Sequence, residues 1–413
     1  MKLHKKHYTF FCGIKSLKHK LIFFYSSFFV FLSSCIDPVE FTFEDFESAL
    51  VIEATITNEM VQQEINLTRT FEFEEDGPLP ESNATVTVSD DVGNVFTFLD
   101  SGEGVYISSE AFAAITGRTY QLSVTTQDGR NYGSDDVTVS TATNIEEIRA
   151  ERITNDLGQD GMAIFVDSFD PSGNSRNYRY EYEETFMIIA PAFNPSSLIR
   201  DPAIGNQCNV IITENTTGEE VCYGTDESNT IIITSTEGLE EDRVDNFMVR
   251  FINSDNFIIS HRYSILVKQF VQSNEAFTFF ETLDELSSSG SLFSETQPGF
   301  LQGNVFSTDS DDERVLGFFD VSTMSSQRLF FNYEDFYPNE PLPPFIVDCD
   351  PSAPVIANLG GCVLLPILDS GAGVFAGENL DIMQGEGPFL IVSRECGDCS
   401  VLGSAEVPEF WIE

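Results

Sequence analysis

From residue 49 onward the chain alternates apolar and polar positions with a period of two, in short runs separated by turn sequences. ALVIEATIT and EINLTRTF open the series, and ATVTVSD, VFTFLD, TYQLSVTT and RNYGSDDVTVS continue it, with breaks at Asp91, Gly93, Gly102, Gly104, Gly117 and Asp128-Gly129. In a strand this period sends alternate side chains to opposite faces, so Val86 and Val88 share one face and Thr85 and Thr87 the other. Short strands at even spacing predict an immunoglobulin-like β-sandwich over residues 49–140. TVSTATNIEE, near 137–146, reads as a domain border. The pattern beyond it remains mostly β: MAIFVDSFD, the long YRYEYEETFMIIA, NTIIITST, NFMVRFIN, HRYSILVKQFVQ and RVLGFFDVSTMSSQRLFF. One clear helix interrupts it. Ser273 or Asn274 caps EAFTFFETLDEL, which runs to about Ser287 with Phe277, Phe280, Leu283 and Leu286 on one stripe, expected to be core packing. Residues 331–390 lose the pattern, carry Pro338, Pro341, Pro343, Pro344 and Pro351, and are expected to be irregular. The fold expected is mainly β: a sandwich at 49–140, then a larger β-rich domain at 141–413 with one helix and a disulfide-stapled C-terminal region.

The first 48 residues follow another logic. Lys2, Lys5, Lys6, Lys15, Lys18 and Lys20 precede the apolar run LIFFYSSFFVFL, and Ser33-Ser34-Cys35 closes it. A basic head, a short apolar centre and a small-residue exit make an export signal over 1–34. The run is shorter than the 18 or more residues a spanning helix needs. A cysteine at that exit resembles the lipobox of bacterial lipoproteins. The resemblance implies that Cys35 becomes the acylated first residue, with IDPVEFTFEDFES an acidic tether at 35–48. The alternative is an ordinary signal peptide with Cys35 as a disulfide partner. Removing the head with its six lysines takes the formal net charge from −46 to −52, which repels phosphate backbones and argues against a nucleic-acid partner.

Cysteine and histidine usage narrows the chemistry. Beyond Cys35 stand Cys208, Cys222, Cys349, Cys362, Cys396 and Cys399, an even number that in an exported chain predicts disulfides. Cys208 and Cys222 bracket a polar loop and are expected to pair with each other, the last four making two further bridges. Cys396-Gly-Asp-Cys399 has redox-motif spacing but lacks a βαβ setting. His261 is the only histidine after the signal, and its place before a strand reads as structural. There is no HExxH and no GxSxG, and no enzymatic role is expected. Asp167 and Asp170, and Asp309, Asp311 and Asp312, gather oxygen ligands for calcium, but neither group has EF-hand spacing and solvated turns are the favoured reading. No other cofactor is implied. Tyr178, Tyr180 and Tyr182, or Phe330, Tyr333, Phe336 and Tyr337, are candidate stacking platforms, with core packing favoured.

The LVIEATIT strand followed by LTRT, the Gly117–Tyr120 spacing, YSILVKQFVQSNEAFTFFETL, GSLFSETQPGFLQGNVFS, VLGFFDVSTMSSQRLFF and the terminal CGDC and PEFW resemble an outer-membrane lipoprotein family of the Bacteroidota, the domain of unknown function DUF4249. The resemblance implies a lipid-anchored protein of the outer membrane, facing the cell exterior. It also implies an accessory to a TonB-dependent β-barrel transporter that binds the barrel and its substrate. The alternative is a structural or assembly subunit of an outer-membrane complex. An accessory is expected to have a concave ligand site, and an assembly subunit to lack one. Gln297, Pro298, Gly299, Gly303 and Asn304 are the motif positions least explained by core packing and are the expected partner surface.

Overall fold

The computed structural model describes residues 48–71, 77–203, 208–288 and 301–412. Cys35, the signal and most of the tether lie outside them, as do Gln297, Pro298 and Gly299. The protein is mainly β, with several sheets, short helices and three disulfides.

One strand organises the described chain. Val315–Asn332 is 18 residues long and serves two neighbours in turn. Its first half runs parallel to Leu50–Thr57, from Leu50↔Val315 to Thr57↔Ser322. Its second half runs antiparallel to Arg262–Val271, from Val271↔Thr323 to Arg262↔Asn332. The sheet therefore continues from Val221–Glu227 through Asn177–Ile189, Arg262–Val271 and Val315–Asn332 into Leu50–Thr57 and Glu64–Arg69.

Two cores follow. The first buries Ile52, Ile56, Ile65, Leu67, Val86, Val88 and Val124 completely, as the alternation in their strands requires. It is closed by Val305, Val315, Phe319 and Val321, from far beyond residue 140. The expected border is likewise not a break: the strand Ile145–Thr154 starts inside it. The described residues from Ser48 on cluster as one compact unit, with a change of core near position 140.

In the second core, Asn177–Ile189 lays Tyr178, Tyr180 and Tyr182 against a three-stranded sheet made of Ile145–Thr154, Asp160–Asp170 and Asp242–Asn253. All three rings are buried, and polar partners meet two of their hydroxyls. Tyr178 donates to Asp242 Oδ1 at 2.9 Å and Tyr180 to Gln269 Oε1 at 3.1 Å. Burial and the Asp242 carboxylate push the Tyr178 phenol above its ordinary range, so it stays a neutral donor. The candidate platform is thus core. In the other, Tyr333 and Tyr337 are buried and stack on each other at 4.6 Å.

The cysteines pair differently from expectation. Cys208 joins Cys362, Cys222 joins Cys399, and Cys349 joins Cys396. The polar loop between Cys208 and Cys222 contains the strand Val210–Glu214, which pairs with Ser196–Arg200 and carries the two cysteines apart. The region 331–390 is less irregular than its prolines suggest. It holds the helix Leu364–Asp369 and the strand Gly373–Glu378, which pairs with Phe389–Ser393.

Candidate functional site

Asn274–Ser288 is an α-helix, and Ser273 caps it: its Oγ accepts from Ala276 N at 3.1 Å. Among the described side chains of this helix only Ala276 is fully buried. The expected core stripe is therefore only partly core. Leu283 is 36% exposed, and Phe279 and Phe280 stand over Phe318 of the long strand, with ring centroids 4.9 and 6.4 Å away.

Between this helix and the sheet lies a cleft of about 740 Å³. Phe270, Phe279, Phe280, Leu283, Leu316 and Phe318 form its apolar wall. Arg179 and Lys268 stand on one side, and Glu53 and Glu64 on the two strands at the other. Arg179 alternates with the tyrosines and so faces the opposite side of its strand. Its guanidinium lies over both rings, 4.4 Å from the Phe270 centroid and 4.8 Å from the Phe280 centroid. NH1 donates to Glu181, while Nε is buried without a hydrogen-bond partner. A second cavity of about 510 Å³ shares Arg179, Glu181, Lys268 and Phe280 and continues past Glu183 and Glu227. Lys268 pairs with Glu183.

Asp320 is 1% exposed. Burial raises its pKa, against the opposing pull of Arg179 and hydrogen bonds from Ser322 and Gln272. Its Oδ1, Gln272 Oε1 and Asn177 Oδ1 also have no hydrogen-bond partner. Unmet polar atoms at this density are uncommon in folded proteins.

Gly303 and Asn304 have structural work that sequence did not reveal. Asn304 donates from Nδ2 to Phe319 O and accepts from Phe319 N, both at 2.8 Å, imitating a strand partner. A Cβ on Gly303 would come within 1.7 Å of Gly317 O. Both residues also line a shallower cavity of about 420 Å³ beside the helix N-terminus.

The calcium candidates do not converge. Asp170 accepts from Ser172, Asn174 and Ser175, through backbone and hydroxyl donors. Burial raises its pKa, but those hydrogen bonds outweigh it and the net shift is downward. Asp167 is held by Arg149 and by Asn246 N, and Asp309 by Asn131. Asp312 N donates to Ser310 Oγ at 3.4 Å. Among the described residues no three His, Cys, Asp or Glu side chains group as metal ligands. Chelation with EDTA is expected to leave the thermal midpoint unchanged, and a fall of several degrees in a melting curve would contradict this. His261 is half-buried, and burial lowers its pKa. Its carbonyl accepts from Tyr333 N at 3.0 Å.

Sequence reasoning missed Arg179, Glu53, Glu64, Phe270 and Phe318. The available signal was a lone cation inside YRYEYEE, on the face opposite the tyrosines. Among known proteins, the sequence model of a family described as a domain of unknown function (DUF4249) matches residues 36–328, which include every lining residue of the cleft. No curated protein matches the chain.

Proposed function

We propose that this chain, which belongs to the DUF4249 family, is a non-catalytic accessory subunit of a TonB-dependent outer-membrane transporter, anchored through acyl chains on Cys35 and facing the cell exterior. The N-terminal strands would serve as an immunoglobulin-like module near the anchor, and the cleft would receive the substrate before the barrel takes it. The cleft carries this reading. A concave site of about 740 Å³ with an apolar wall and charged ends is what a carrier of small cargo needs, and an assembly subunit has no use for it. The Ser33-Ser34-Cys35 exit and the three disulfides support export and anchoring.

Two measurements on native membranes test it. Detergent pull-down of the tagged protein is expected to bring a TonB-dependent barrel with it. Cys35→Ala is expected to abolish palmitate labelling and remove the protein from the outer-membrane fraction, because one acyl chain is marginal and several hold firmly. Isolation without a barrel, or with barrel-insertion machinery in its place, sinks the accessory reading. Unchanged labelling in Cys35→Ala sinks the anchor.

A further inference from the structure

We infer that the cleft under the Asn274–Ser288 helix binds a short, apolar peptide with both termini free. This deepens the accessory reading, and rests on it only for the claim that the peptide is the transporter's cargo. The charges on the cleft wall are not equally committed. Lys268 is paired with Glu183, and the NH1 of Arg179 with Glu181. Glu53 is exposed and has no ion-pair partner among the described residues. Glu64 is also exposed and accepts only from Asn66 Nδ2, at 3.3 Å. One end of the cleft therefore offers two carboxylates with no cation.

At the other end Arg179 and Lys268 are each paired with a glutamate, with Glu181 lining the cleft beside them, but one donor of Arg179 is left over. Arg179 is 7% exposed, lies over two rings and lines both cavities, yet its Nε has no acceptor. A guanidinium edge suits a planar carboxylate. The two ends are well separated. Arg179 sits opposite Phe270, which sits opposite Met324 on the long strand, whereas Glu53 sits opposite Phe318. With strands about 4.8 Å apart and residues about 3.3 Å apart along them, that register amounts to roughly 25 Å between Cα positions. An extended chain of about seven residues covers this distance.

Other ligand classes leave something unmet. A fatty acid would satisfy Arg179 but point a methyl end at Glu53 and Glu64. An apolar cation would leave the Arg179 edge empty. A sugar would waste the wall of Phe279, Phe280, Phe318 and Leu316. An unpaired charge left facing apolar ligand costs affinity, so the pattern selects against these as much as for a peptide.

The test is calorimetric titration of the purified protein with the heptapeptide Leu-Ala-Phe-Ala-Leu-Ala-Leu, its N-acetyl and C-amide forms, and decanoate. The free peptide is expected to bind, and blocking either end to weaken it roughly tenfold, as loss of one charge-assisted contact does. In E53Q/E64Q, acetylation is expected to lose its effect while amidation keeps it. In Arg179→Gln the pattern is expected to reverse. If the Arg179 variant fails to fold, the exposed Glu53 and Glu64 pair still decides the matter. No binding of the free peptide, equal binding of the doubly blocked form, or equally tight decanoate binding overturns the inference. Barrel co-purification with the unmodified protein separates the two claims. A retained barrel without peptide binding defeats the ligand class alone, and peptide binding without a barrel defeats the accessory reading alone.

Discussion

Gly317→Ala is expected to destabilise the protein by about 3–5 kcal/mol, against about 1 kcal/mol for Gly93→Ala. Both glycines have positive φ, +101° at Gly317 and +91° at Gly93. A side chain at either position is strained. Only Gly317 adds a collision, because its Cβ would lie 1.9 Å from Ile52 O, while at Gly93 nothing lies within 4 Å. Nor can Ile52 retreat: it is completely buried and pairs with Leu67 on its other side. Gly303 presses on Gly317 from beyond, so three backbone segments stack with no room for a methyl group. The strain term is shared by the two variants and the clash is not, so the difference in their denaturant midpoints isolates the contact of Gly317 with the Leu50–Thr57 strand. A Gly317→Ala midpoint no lower than that of Gly93→Ala would mean that the parallel pairing with Leu50–Thr57 does not constrain the chain as described.

That contact marks where sequence stops being informative. Leu50–Thr57, Thr85–Asp90, Asn177–Ile189 and Arg262–Val271 were legible because alternation is a local property, and so was the helix, from its Ser273 cap and apolar spacing. Ile145–Thr154 was missed because half of its positions are charged and only one is fully buried, which blurs a period of two into what reads as a linker. The parallel pairing of Leu50 with Val315 joins segments with most of the chain between them, and nothing local records it. The same holds for the site. The tyrosine face was identified correctly, but whether a face meets solvent or a second sheet depends on a strand order that the sequence does not display. Arg179 lies on the face that alternation assigned to polar residues, and only the helix that folds back over it makes it unusual. Glu53 and Glu64 become one end of a cleft for the same non-local reason. Family membership does not supply the missing step, since it identifies the relatives and leaves the ligand open.

Removing the buried bridge with Cys222→Ala/Cys399→Ala is expected to cost about 3.5 kcal/mol, less than its sequence separation of 177 implies. Loop-closure entropy alone would give about 5 kcal/mol for a ring of that length. The other two bridges shorten it. Cys208–Cys362 and Cys349–Cys396 already tie the same segments together, so the shortest covalent path from position 222 to 399 is about thirty residues. Local packing adds to the loss. Cys222 and Cys399 are both fully buried, Tyr223 exchanges backbone hydrogen bonds with Ser404 at 2.8 and 3.0 Å, and Trp411 packs on Tyr223 with ring centroids 4.9 Å apart. The double variant is therefore expected to release the terminal segment to limited proteolysis at denaturant concentrations where the long sheet still holds. In the unmodified protein, peptide mapping without reduction is expected to recover three linked pairs, with Cys222 attached to Cys399. Recovery of Cys208 linked to Cys222 would restore the local pairing that the intervening strand Val210–Glu214 rules out, and a loss below about 1 kcal/mol would mean the bridge constrains little that the other two do not.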